Sequence, residues 1–186
     1  MKNLSVLLLV ALLPILSYSQ SKYVTKAGHA KIFSHTIAED ITANNYKVTS
    51  ALNTETGDMV FVTPVQSFEF EKALMQKHFN TENFMNSAVY PKIKFKGRIK
   101  NLASVKWNKD GKYPVTVEGN LTVRDLTKPM SQEGTVTIKN GKISASSVFM
   151  VKNITQYHVG KPTKKSKENN VADDIKVSFT GNYIIK

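Results

Sequence analysis

Four histidines, His29, His35, His78 and His158, and fourteen carboxylates are the groups that could move a proton or hold a metal in this chain of 186 residues. No cysteine stands beside them, which removes thiolate nucleophiles, thiolate metal sites and disulfides together. The histidines are scattered, with no His-Glu-x-x-His or comparable spacing that would set two rings on one helical face around a metal. Ser34-His35 suggests a nucleophile beside its base, and Asp173-Asp174 a carboxylate pair. Neither has the sharp turn or neighbouring partner that would aim such groups at a substrate. A phosphate-cradling glycine loop and a dinucleotide fingerprint are also missing. The residues therefore predict no catalytic group, no metal and no cofactor, and a protein that is not an enzyme.

What the chain does carry is alternation. From Ile93 to Lys100 the parity is strict: Ile93, Phe95, Gly97 and Ile99 share one side, and Lys94, Lys96, Arg98 and Lys100 the other, the pattern of a half-buried strand. The preceding stretch spaces Leu74, Met75, His78, Phe79, Phe84 and Met85 by threes and fours, which predicts a helical segment between Lys72 and Ala88. Tyr90-Pro91 ends it, because a residue before proline is pushed out of the α region. Further strands are expected at Lys31–Ser34, Asn45–Asn53, Met59–Val65, Ser67–Phe70, Tyr113–Val123, Gln132–Ile138, Lys142–Val151 and Ile175–Ile185. In the second of these Tyr46, Val48, Ser50 and Leu52 share a face. Ser21 to Gly28 reads as a loose polar lead-in, Pro64 as a bend or edge, and Thr127-Lys128-Pro129 as a break. Asn140-Gly141 supplies the strongest hairpin signal. Eight or nine strands with hairpin-length links and no βαβ rhythm describe an all-β antiparallel barrel or sandwich. Gly97, Gly119, Gly134 and Gly181 fall on otherwise apolar faces. Inward glycines relieve crowding where strands coil, or leave volume for a ligand, and both readings favour a barrel.

On these strands the inward set includes Phe68, Phe70, Phe95, Val117, Leu121, Phe149, Phe179 and Tyr183. A closed sheet of about eight strands can be filled by such side chains or can hold one small ligand, and parity alone leaves both open.

The run HFNTENFMNSAVYPKIKFKG, followed by VTVEGNLTVRDLTKP at Val115–Pro129, resembles the signature of the YceI-like family of secreted bacterial proteins. Phe79, Phe84, Met85, Tyr90, Pro91, Ile93 and Phe95 stand at the family's positions, and the likeness extends from about Ala30 to the C-terminus. One position departs, Asp125, where the family has glycine in a turn. The resemblance implies a lipocalin-like barrel that binds a long apolar isoprenoid-type lipid in its lumen without turnover. It selects the lumen reading of the inward set. A fatty-acid or fatty-amide ligand is the alternative of the same kind.

Charge and targeting complete the reading. Lys2, the apolar run Leu4–Leu16 and small residues at Ser17 and Ser19 describe a secretory signal peptide over residues 1–19, leaving 20–186 as one domain. A periplasmic or secreted location is expected. The net charge of +12 suits anionic membrane surfaces or polyanions, or simply maintains solubility. Lys161, Lys164 and Lys165, clustered around Pro162, could clamp an anionic head group as mobile point charges. Nucleic acid is not expected, because the aromatics share parity with the apolar faces instead of alternating with lysines. The sequence leaves the oligomeric state open, with a homodimer among the options.

Overall fold

The alternating pattern is realised as nine strands and one α-helix in a computed structural model, which describes residues 21–35, 39–160 and 172–186. The strands are β1 (Lys22–His35), β2 (Asp40–Asn53), β3 (Asp58–Pro64), β4 (Glu69–Phe70), β5 (Lys92–Ile99), β6 (Gly111–Val123), β7 (Leu126–Lys139), β8 (Lys142–Val151) and β9 (Ile175–Ile185), and helix α1 spans Ala73–Asn80. They form one antiparallel sheet in the order β1-β9-β8-β7-β6-β5-β3-β2, and β1 pairs with β2 to close it into an eight-stranded barrel. β4 is an appendage that pairs with β2 through Ala43 and Asn44. Residues 1–19, where a signal peptide is expected, and Lys161, Lys164 and Lys165 lie outside the described residues.

Two sequence expectations fail in ways that expose how the barrel closes. The supposed lead-in is the first half of β1. Its fully buried residues Thr25, Gly28 and Ala30 are small, and only Tyr23, packed against the core at the strand's start, gives the face a large side chain. Register shifts between Thr25 and Gly28 and between Gly28 and Ala30 against β2 mark bulges in the pairing. The second places an extra residue of β2 between Asn45 and Val48 and flips the parity there. Tyr46 consequently points outward, 53% exposed, and stacks on His29 with ring centroids 4.5 Å apart. Asn45 is buried in its place. Its side-chain amide donates to the Pro64 carbonyl at 2.8 Å and its Oδ1 accepts the Lys47 N–H at 2.9 Å, so the bulge carries its own satisfied polar core.

The break expected at Thr127–Pro129 is absent, since β7 runs through it. The β6–β7 turn lies two residues earlier, and its positive φ, 55°, is taken by Arg124; Asp125 needs no glycine-like conformation. Pro129 is tolerated because β7 pairs with β8 only over Thr135–Lys139, which leaves its first half an edge on that side. Pro64 closes β3 and passes into a 3-10 turn over Val65–Ser67. Helix α1 is shorter than the expected segment, and turns follow it to Tyr90.

One end of the barrel is solid. Leu52, Met59, Ile99, Val136, Ile138 and Ile143 pack there, with Leu102, Trp107 and Tyr113 from the β5–β6 connection and the start of β6 laid against them. Tyr183 belongs to this plug, 4% exposed, and its hydroxyl donates to Ser50 Oγ at 2.8 Å. Burial pushes its phenol up to about 12, the bond to Ser50 offsetting part of the effect. The folded state thus keeps the proton where the unfolded chain releases it near pH 10. The stabilisation is complete below pH 10 and is lost as pH rises from 10 towards 12. Urea unfolding across this range is expected to show a steeper loss for the wild type than for Tyr183→Phe, and equal slopes would contradict the burial of that hydroxyl.

Candidate ligand-binding cavity

Above the plug the barrel opens into a cavity of about 1030 Å³. Phe68, Phe70, Phe95, Val117, Leu121, Phe149 and Phe179 all line it, and Tyr183 does not. The inward parity of β5, β6, β8 and β9 places five of them there, with Phe68 and Phe70 brought in by the turn after Pro64 and by β4. Phe33, Phe61, Phe79 and Phe84 also line it and stand outside the lumen set read from sequence; of these, Phe61 is on β3. It shares parity with Met59 and Thr63, and its ring stands edge-on to Phe179 at 5.0 Å and to Phe95 at 6.1 Å. Phe79 of α1 meets Phe68 at 5.4 Å and Phe70 at 4.9 Å, which ties the otherwise exposed helix to the wall. Edge and tilted contacts of this kind are favourable aromatic geometries.

Three of the inward glycines add no room. A Cβ on Gly97 would stand 2.6 Å from the Phe95 ring, and one on Gly181 2.7 Å from the Phe179 ring, while Gly119 is pressed against the backbone of Lys96. Each aromatic covers the glycine two residues away on its own strand. The crowding reading therefore holds for these three, and only Gly134 borders the cavity.

The cavity is covered at the end opposite the plug by α1, by residues 81–86 and by the segment from the 3-10 turn at Ile154–Tyr157 to Gly160. Its rim includes Glu39, Lys72, Leu74, Met75 and His78, with Lys72 ion-paired to Glu39. Arg124, at the β6–β7 turn, holds this cover down. One terminal nitrogen donates to the carbonyls of Phe84 at 2.8 Å, Glu82 at 3.1 Å and His158 at 2.5 Å, and the guanidinium lies 5.4 Å from the Tyr90 ring. His158 takes a left-handed backbone with φ 62° and faces Asp125 through Nδ1 at 3.3 Å. The Gly160 N–H donates to the Asn83 carbonyl at 2.9 Å, joining the two covering segments directly.

The groups that invited catalytic readings are dispersed. Successive strand residues face opposite ways, so Ser34 is buried at the cavity while the exposed His35 ring meets Asp40 at 2.6 Å. Ser34 Oγ accepts the Ala172 N–H at 3.3 Å. Asp174 accepts the Asn153 N–H at 2.9 Å, and the Asp173 carbonyl accepts the Ile154 N–H at 2.6 Å, so this pair anchors the cover. His29 bonds Asn44 at 2.9 Å on the outer face. Among the described residues no three His, Asp or Glu side chains are grouped to hold a metal ion.

A closed antiparallel barrel with one solid end and an apolar lumen defines the lipocalin-like class of architecture. Within it the chain matches the YceI-like domain model over residues 17–183, and it belongs to that family. Its fold is shared by a polyisoprenoid-binding domain from Saccharophagus degradans implicated in plant cell wall breakdown, with TM-score 0.72, 11% identity, 90% of this chain and all of that one covered. Burkholderia cenocepacia BcnA is similar at TM-score 0.68 and 16% identity, over 84% of this chain and 96% of that one. The Campylobacter jejuni YCEI protein follows at 0.57 and 13%, over 80% and 88%. No curated protein matches it in sequence at a significant level.

The Arg124 contacts make a specific claim about the cover. Three carbonyls depend on one cation, and charge-assisted bonds contribute about 1.5–3 kcal/mol each where both partners are desolvated. Arg124→Ala is expected to cost about 2 kcal/mol or more in urea denaturation and to speed amide hydrogen exchange across 81–86 and 154–160. Unchanged exchange in both segments would show that packing alone holds them.

Proposed function

We propose that this protein binds a long apolar lipid of the isoprenoid type inside the barrel and carries it without chemical turnover. The observation that carries the reading is the cavity itself: about 1030 Å³ walled by phenylalanine and aliphatic side chains in a chain of the YceI-like family. At about 30 Å³ per small group, the liquid volume of one water, such a space holds on the order of thirty groups. That is the scale of a chain of several isoprene units. The polyisoprenoid-binding domain that shares the fold supports the same ligand class, and the dispersal of the titratable groups supports binding over turnover. Nucleic acid is disfavoured, because these aromatics line the lumen and build no stacking platform beside exposed lysines. The outward lysines of β5 support peripheral contact with an anionic membrane, and the leader-like N-terminus supports a periplasmic or secreted location.

Affinity should grow with chain length, since each buried methylene contributes about 0.8 kcal/mol before ordering costs, and should level off when the lumen is full. Isoprenoid alcohols of increasing length, titrated by tryptophan-independent calorimetry, test this directly. Phe95→Asp and Leu121→Asp should abolish binding, because an unpaired carboxylate in an apolar lumen is costly to ionise. Folded variants that bind as tightly as the wild type would place the ligand outside the barrel.

A further inference from the structure

The barrel wall has a gap. β7 and β8 share a hairpin, yet their pairing stops at Thr135 and Ser146 while both strands continue, β7 back to Leu126 and β8 on to Val151. At the point where they part, the lumen meets the outside. Gly134 and Ser147 point inward, and Glu133, Thr135 and Ser146 fall on the outward parity, but all five line the cavity. The same five line a separate outer groove of about 470 Å³, which continues over Thr116, Val148, Ser178 and Thr180. Outward-parity residues border the internal space here because the two strands are no longer paired to each other beyond Thr135 and Ser146. Gly134 supplies no side chain to close it, and its nearest neighbours across the seam are the Ser146 carbonyl and Ser147 Cβ, 3.0 and 3.5 Å from where its own Cβ would stand.

The chemistry of this opening differs from that of the rim near α1. Ser147 Oγ of β8 donates to the Glu133 carbonyl of β7 across the seam at 2.5 Å, which bounds the opening at its hairpin end. Among the described residues the hydroxyls of Thr116, Thr135, Ser146, Ser178 and Thr180 have no hydrogen-bond partner in the protein, and Glu133 is the one ionisable side chain lining the groove. Hydroxyls offer both donors and acceptors, and no cation is present to hold a phosphate. We propose that the β7–β8 seam is a lateral window at which an uncharged hydrogen-bonding head, such as a hydroxyl, amide or carbonyl, is held while the apolar chain fills the lumen. This rests on the lumen reading above and adds where the head sits and what kind it is.

The test uses the whole protein and three probes. A C20 isoprenoid carrying a photoreactive diazirine at its head should label residues 133–135 and 146–148. Geranylgeraniol should bind the wild type more tightly than geranylgeranyl diphosphate. Glu133→Lys, an exposed substitution, should improve the diphosphate about threefold or more relative to the alcohol at low salt. Labelling confined to Lys72–Thr81, with Glu133→Lys silent towards both lipids, would overturn the window and leave lumen binding intact. A wild type that binds neither lipid would instead overturn the lumen reading itself.

Discussion

Closure of the sheet between β1 and β2 is the constraint from which the rest of the structure follows. A curved eight-stranded sheet with free edges would expose two rows of unpaired backbone groups and could not enclose a lumen. Here the closing pair begins in a polar stretch and absorbs two bulges before the strands regain register. The inward residues at the seam are small, and Phe179 fills the space above Gly28, whose absent Cβ would otherwise stand 2.8 Å from that ring. Local crowding and ring closure are thus one problem with one solution. The bulges bend the strands enough to close the ring, and the aromatic rings of neighbouring strands occupy what the small residues vacate.

Both ends of the barrel carry a buried apolar cluster, and they differ in what is added to it. The plug is a packed apolar core, stable because large side chains interdigitate there. The cover over the opposite end packs Met85, Ile154, Tyr157 and Val159 against Val65, Leu121, Val123 and Val151. Directed polar contacts are added to that packing, with Arg124, Asn83, Asp173 and Asp174 each binding backbone groups. Such contacts are individually modest and break locally without disturbing the core.

Much of this was legible in the sequence because strand parity reports burial directly. The β5 alternation and the inward set emerged from that rule, and the Asn140-Gly141 hairpin from its turn residues. Seven of the eight inward side chains line the cavity, while the choice of a lumen over a filled barrel came from the family resemblance. Where it misled, the cause was local. The first half of β1 buries mostly small residues, the bulge near Tyr46 inverted parity in mid-strand, and Pro129 signals a break only if both sides of the strand are paired. Tyr183 has the inward parity of its strand, but parity does not report height along the barrel, so it could not be told apart from the lumen set. The lateral gap was invisible for a similar reason: the β7 and β8 sequences continue to alternate after their pairing has ended.

The central claim is that ligand lies inside the barrel, and the methionines test it without altering the protein. Met75 and Met130 line the cavity, whereas Met150 faces outward and is 39% exposed. In a methyl NMR titration with geranylgeraniol, the Met75 and Met130 resonances are predicted to shift together and saturate while Met150 stays fixed. A shift at Met150 with the two cavity methyls unmoved would contradict the account.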